Sequence, residues 1–321
     1  NTSDLATAKE ELKALAGVEN VTDGKTSATK DAYDAAKREA DAAVTAAEGI
    51  INNADSTPEQ VAEALTNVKA KKAELEKAKA ALVDKATDAQ KTKLEESAAK
   101  LVKASTDGKT QDSINEYETT YNNLKTELDK AIEAAAAIKT AGDNASRLEA
   151  LTAQEAVDAV QAKLDAAKAT LVDKATEEQK AELEKAEAAL TPAEESTLAG
   201  TKTPASIAAY KKAVDAIQSQ LTEAKATAAD LVTKAEQNNA KKVDAAEAIA
   251  KVDALKAKLA EATALLKDKA NTGDLATAKD ELKELAKVEN VTDGKTTSTK
   301  DAYDAAKREA DAAVTAAEGI I

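Results

Sequence analysis

Apolar side chains return at every third or fourth position along most of the chain. Tyr33, Ala36, Ala40, Val44, Ala47 and Ile51 stand 3, 4, 4, 3 and 4 residues apart. That spacing lines one face of an α-helix and predicts a helix from about Ser27 to Ile51. The polar run Asn52-Asn53-Ala54-Asp55 then reads as a turn. A second helix starts at Thr57-Pro58-Glu59-Gln60. There Thr57 accepts at the N-terminus, Pro58 suits the first helical position and Gln60 closes a capping box. Val61, Leu65, Val68, Leu75, Ala78 and Leu82 continue the apolar face. Asp84-Lys85-Ala86 reads as a tight connection to a third helix, which Thr87 and Gln90 cap. This helix carries Leu94, Ala98, Leu101 and Val102 and ends before Asp107-Gly108. Three amphipathic helices joined by two short turns predict an up-down-up bundle.

The pattern repeats. Residues 4–51 recur at 274–321, with 43 of 48 positions identical. The differences are Glu10/Asp280, Ala14/Glu284, Gly17/Lys287, Ser27/Thr297 and Ala28/Ser298. Within this offset of 270 residues, a Lys-Thr pair stands eight residues before Tyr33, Tyr117, Tyr210 and Tyr303. A second landmark, Leu-Val-Asp-Lys-Ala-Thr, occurs at 82–87 and 171–176 and persists as Leu-Lys-Asp-Lys-Ala-Asn at 266–271. The capping pair recurs as Thr176 with Gln179. Fixed-period self-similarity of this kind marks a tandem array.

The phase set by Lys-Thr divides the chain into residues 1–24, the last helix of an upstream module; three-helix modules at 25–108, 109–201 and 202–294; and residues 295–321, the first helix of a following module. Gly24, Gly108, Gly200 and Gly294 stand at these boundaries, where glycine commonly stops a helix. The expectation is an all-α chain of tandem three-helix bundles forming an elongated rod. Helices of ~25 residues would make each bundle roughly 40 Å long.

Composition restricts what such an array can do. The 321 residues include no His, Cys, Met, Phe or Trp, and five Tyr are the only aromatics. A core of Ala, Leu, Val and Ile is thin, because Ala buries little area, and thin cores suit narrow bundles with closely approaching axes. The repeat register places Tyr33, Tyr117, Tyr210 and Tyr303 in those cores with their hydroxyls reaching solvent; Tyr121 falls outside the repeat.

The formal net charge of −14 disfavours nucleic acid and anionic membranes, both of which call for clustered Lys and Arg. No apolar run is long enough to insert in a bilayer. Without His or Cys, most nucleophile–base pairs and transition-metal sites are excluded. Carboxylate pairs such as Glu95-Glu96 and Glu177-Glu178 lie on Lys-rich faces, and nothing gathers them into an apolar pocket that would shift a pKa. Gly-Lys-Thr at 24–26, 108–110 and 294–296 lacks the earlier glycine of a phosphate loop, having Glu19, Lys103 and Glu289 there. No catalytic, cofactor-binding or metal-binding residue is assigned, and no cofactor is expected.

Lys30-Asp31-Ala32-Tyr33-Asp34-Ala35-Ala36, Ile50-Ile51-Asn52-Asn53, Thr57-Pro58-Glu59-Gln60-Val61, Ala64-Leu65, Leu75 and Ala80-Ala81-Leu82 together resemble the FIVAR type of module, over about residues 30–85. Such modules recur in tandem in giant, matrix-binding, cell-wall-anchored surface proteins of Gram-positive bacteria. The resemblance implies three-helix bundles in an extracellular, wall-anchored stalk. Two functions follow as expectations. One is a non-enzymatic spacer that projects an adhesive region from the wall. The other is a repeated low-affinity adhesin for a host extracellular-matrix or plasma protein such as fibronectin, acting by avidity. The chain is expected to be monomeric, with the truncated modules at its two ends able to pair end to end.

Overall fold

The computed structural model describes residues 2–321, and among these the chain is helices and connections with only isolated β-bridges between extended residues. Helices α1 (Ser3–Ala16), α2 (Ser27–Asn52) and α3 (Pro58–Ala80) come first, followed by α4 (Asp88–Ala98), α5 (Gln111–Ala141) and α6 (Arg147–Lys168). Next are α7 (Glu177–Glu184), α8 (Ala186–Ala189), α9 (Glu195–Leu198), α10 (Pro204–Asp215), α11 (Gln218–Glu236) and α12 (Lys242–Thr263), and finally α13 (Gly273–Ala286) and α14 (Thr297–Glu318). These fall into two compact units. The first is the chain up to Lys174 together with Gln237–Lys241, and the second is Ala175–Glu236 with Lys242–Ile321.

The predicted stripes are the buried ones, and they close in threes. Leu5 and Leu12 of α1, Tyr33, Ala40 and Val44 of α2, and Val68 and Leu75 of α3 form one buried cluster. In the same unit Leu94 of α4, Leu128 and Ala131 of α5, and Val157 and Leu164 of α6 form another. In the second unit α7, α11 and α12 pack mutually, burying Leu183, Leu221, Leu231 and Val252. Each closed group is therefore one short helix followed by two long helical segments, the first of which is divided into α10 and α11 in the second unit.

This phase differs by one helix from that read off the Lys-Thr landmarks. Residues 1–24 open the first group rather than closing an earlier one. The boundaries 25–108, 109–201 and 202–294 each cut a packed group after its short helix, and α13 with α14 begins a fourth group rather than dividing between modules. A periodic pattern fixes repeat length but not where a closed triple starts. Leu5 and Leu12 decide that here, because α1 is the helix that completes the α2–α3 core. The stripe of α1 is accordingly buried.

Three smaller differences share this cause. The short helix α4 stops at Ala98, and the chain turns and runs on without regular structure, so that Leu101 is buried while Val102 is exposed. The glycines lie in turns inside groups, not between them: Gly24, Gly108 and Gly294 have φ of 67°, 69° and 69°, left-handed values that a Cβ disfavours. Gly200 has no such conformation, since in the Lys-Thr register Thr201, not Gly200, holds the place of Gly24. Finally, Tyr33, Tyr117 and Tyr210 are buried to their hydroxyls, whereas Tyr303 is half-buried. Tyr117 Oη accepts from the Ala104 amide at 2.7 Å and Tyr210 Oη from Ala193 at 2.8 Å. Tyr33 Oη is buried without a protein partner, and desolvation pushes its pKa up. Tyr121 packs beside Tyr117 with ring centroids 6.0 Å apart.

The capping boxes form as predicted. Gln60 N donates to Thr57 Oγ1 at 3.3 Å, and Thr57 N to Gln60 Oε1 at 2.9 Å. Thr87 with Gln90 and Thr176 with Gln179 do the same, and Ser146 with Glu149 is a further box not read from the pattern. Leu75→Ala should lower stability by about 2–5 kcal/mol, as deletions at fully buried Leu do. Val83→Ala, at an exposed site, should cost under ~0.5 kcal/mol. Urea unfolding of the two variants measures both.

Candidate functional site

The two repeating landmarks meet. After α3 the chain crosses to α4 through Val83-Asp84-Lys85-Ala86, and these residues are extended rather than turned. Their backbone pairs on both sides. On one side Thr26 N donates to Val83 O at 2.8 Å and Lys85 N to Gly24 O at 2.9 Å. On the other, Ala86 N donates to Ala145 O and Arg147 N to Asp84 O, each at 2.8 Å. The linker thus runs antiparallel to the residues before α2 of its own group and to those before α6 of the next. Asn144 Oδ1 adds a bond from Ala28 N at 2.8 Å. Extended backbone near a surface needs its amides and carbonyls satisfied, and here the partners come from two bundles at once.

The arrangement recurs. In the first unit Thr110 N donates to Val172 O at 2.8 Å, Lys174 N to Gly108 O at 2.9 Å and Gln111 N to Asn238 O at 2.9 Å. In the second, Thr203 N donates to Lys267 O at 2.9 Å and Lys269 N to Thr201 O at 2.8 Å. Each pairing carries a Lys from one landmark and an Asp from the other: Lys25–Asp84 and Lys109–Asp173 at 2.6 Å, and Lys202–Asp268 at 2.5 Å. The hydrogen bond from Lys25 holds the Asp84 carboxyl below its ordinary range. These pairs are partly exposed and contribute little energy individually; the backbone bonds set the register.

The Thr of each Lys-Thr is the N-cap residue of the long helix and is buried at Thr26 and Thr110. Its hydroxyl meets a second hydroxyl three residues on: Thr26 with Thr29, Thr110 with Ser113, Thr203 with Ser206, at 2.8–3.0 Å. Thr29 and Ser113 in turn accept from Val83 N and Val172 N. The Gly-Lys-Thr stretches at 24–26 and 108–110 are therefore edges of backbone pairing, not phosphate loops. Pairing between the landmarks was missed in the sequence, although opposite charges recurring at a near-constant separation, Lys25–Asp84 and Lys109–Asp173, could have signalled it.

Among the described residues no three His, Cys, Asp or Glu side chains come together as metal ligands, and no helix is long and apolar enough to cross a membrane. Glu95 and Glu177 are exposed, Glu95 pairing with Lys139 at 2.5 Å.

Residues 8–76 and 278–321 match the family model of the FIVAR domain. The first match starts within α1 and ends within α3, in phase with the packed group and earlier than the stretch 30–85 that carries the sequence resemblance. Over 263 residues, 81% of this chain, the sequence is 31% identical to extracellular matrix-binding protein EbhB of Staphylococcus aureus strain N315 and to extracellular matrix-binding protein ebh of strain JH9. It spans 6% and 2% of those proteins' lengths. A structure solved in a characterization of extracellular matrix binding protein (Embp)-mediated Staphylococcus epidermidis adherence to fibronectin aligns at 23% identity and a TM-score of 0.22, covering 52% of this chain and 98% of that one.

Lys85→Pro removes the amide that donates to Gly24 O while leaving the cores intact. Helix content by circular dichroism should be retained, and hydrogen exchange at Thr26 and Ala86 should accelerate; unchanged exchange would show the pairing does not hold the linker. Because the folded Asp84 pKa is depressed, its contribution is present above about pH 4 and lost as pH falls through the lowered value. A carbon-detected titration of Asp84 should show this, with Lys25→Met moving the midpoint back up.

Proposed function

We propose that this chain is a spacer segment of a bacterial cell-surface protein, anchored in a Gram-positive wall and holding an adhesive region away from it. The single observation that carries this reading is the doubly paired linker, Val83–Ala86, which ties the first two groups together through backbone hydrogen bonds to each. A chain of independent binding beads has no need of such a joint; a spacer does, because a free hinge would let neighbouring bundles fold back on each other. The net charge of −14 repels anionic wall polymers and favours extension. With no His and no Cys in the sequence, most nucleophile–base pairs and transition-metal sites are excluded.

A second reading is favoured by the relatives, which are named for binding extracellular matrix. In it each group offers a weak site for a host matrix protein such as fibronectin, and avidity supplies adhesion.

Small-angle X-ray scattering separates these readings. The spacer predicts a maximum dimension above ~100 Å, from bundle lengths at ~1.5 Å per residue, which shortens or broadens when Lys85 and Lys174 are both replaced by Pro. A compact particle overturns it. Retention on immobilised fibronectin that rises steeply with the number of groups, and is indifferent to those prolines, would favour the adhesin instead.

A further inference from the structure

Asp-Gly occurs at 23–24, 107–108 and 293–294, each time in a turn that leads into a long helix. In the first two turns Lys25 N donates to Thr22 O and Lys109 N to Thr106 O, both at 3.2 Å. The peptide unit between Asp and Gly is the middle of each turn. Asp23 O, Gly24 N, Asp107 O and Gly108 N have no hydrogen-bond partner among the described residues. All four residues are exposed, and no atom beyond the adjoining residues lies within 4 Å of where a Cβ would stand on Gly24 or Gly108. Glycine tolerates φ of either sign. The central peptide can therefore turn over while the closing bond stays in place, as it does between turns of types I and II. That rotation carries the Gly nitrogen past the Asp side chain.

These turns also run into the pairing edges. Gly24 O accepts from Lys85 N and Gly108 O from Lys174 N, each at 2.9 Å. The bond that holds the linker thus begins at the residue next to the Asp. The turn before α10 reads Leu198-Ala199-Gly200-Thr201 and has no Asp, although Thr201 O accepts from Lys269 N at 2.8 Å in the same way. The two Asp side chains differ. Asp107 Oδ2 accepts from Ser105 Oγ at 3.1 Å. In the first turn Val21 stands at the place of Ser105, and the Asp23 carboxyl has no partner among the described residues.

We propose that Asp23 and Asp107 are sites of spontaneous isomerisation to isoaspartate, a change that releases the linker edge beside them as the protein ages. Gly24 N gives up its proton and bonds to Asp23 Cγ, and one carboxyl oxygen leaves as water. A second water then opens the five-membered imide. Addition at Cγ restores Asp. Addition at the main-chain carbonyl carbon of Asp23 leaves the chain running through Cβ, with the carboxylate on Cα. One water is lost and one regained, so the mass is unchanged and nothing is oxidised or reduced. The main chain is now one carbon longer just before Gly24, and the register that sets Gly24 O opposite Lys85 N is lost. Asp107 follows the same course more slowly, because Ser105 holds its carboxyl. The modification is independent of whether the array acts as a spacer or an adhesin.

The test ages the full chain at physiological temperature and neutral pH. Electron-transfer fragmentation of its peptides locates isoaspartate, and amide hydrogen exchange reads the joints. Isoaspartate should accumulate at Asp23 and more slowly at Asp107, with Asp293, in a turn of identical sequence, matching Asp23. Asp55, an exposed turn residue that precedes Ser56, should stay at background. Exchange at Lys85 and Lys174 should accelerate in the modified fraction, and exchange at Lys269 should not. Ser105→Ala should bring Asp107 to the rate of Asp23. Asp23→Glu, whose longer side chain would have to close a six-membered ring, should abolish modification there and keep Lys85 exchange slow throughout. Isoaspartate at Asp23 no higher than at Asp55 overturns the proposal. So does unchanged Lys85 exchange in the modified chain, or Lys85 exchange that accelerates with age in the Asp23→Glu variant as in the parent.

Discussion

An extended backbone cannot be left unpaired where it crosses between two bundles. That requirement organises the chain. Residues 83–86 are too few to form a helix of their own and lie against both groups, so Val83 O and Lys85 N pair with the residues before α2, and Asp84 O and Ala86 N with those before α6. Once those bonds are made, the start of each long second helix, the end of each third helix and the start of the next short helix are fixed relative to one another. The Lys–Asp pairs and the hydroxyl pairs sit on this backbone scheme and choose its register.

The cores answer to a different limit. With almost no aromatic residues, two helices cannot remove enough apolar surface from water, and the third has to contribute. The two copies of the hairpin agree with this: with α3 packed on it Leu5 and Leu12 are buried, and where the described residues supply no third helix Leu275 and Leu282 are half-buried. Each Tyr at the start of a long second helix supplies bulk that Ala cannot, and its hydroxyl is then drawn into a hydrogen bond where the loop is long enough. The connection containing Ala104 or Ala193 reaches it; Tyr33 has no such partner.

Much of this was legible in advance because helix formation is local. The 3–4 spacing around Tyr33 and Val44 and the Thr-x-x-Gln pairs depend on residues within a turn or two, and they predict helices and starts that the structure reproduces. The phase of the groups was not legible, since the contact of Leu5 and Leu12 with Val68 and Leu75 spans more than fifty residues of sequence and no period records it. Leu101 and Val102 carry helical spacing yet lie beyond α4, because Leu101 closes the end of a core rather than its side. The linker was misread as a tight turn for a similar reason: its partners at Gly24 and Ala145 are about sixty residues away in either direction. The two landmarks were visible separately, and only their separation hinted that they touch.

The doubly paired linker makes neighbouring groups share their edges. Asp84 and Ala86, which follow the first group, have hydrogen-bond partners in Ala145 and Arg147 of the second, and Ala86 is itself part of the second core. If the second group unfolds, these backbone groups return to water and the first loses part of its boundary. Stability then becomes a property of the series, with a term for each repeat and a term for each interface between neighbours. In such a system an interior repeat is protected from both sides and a terminal one from a single side, so melting starts at the ends and moves inward, and lengthening the array strengthens its middle without altering any one bundle.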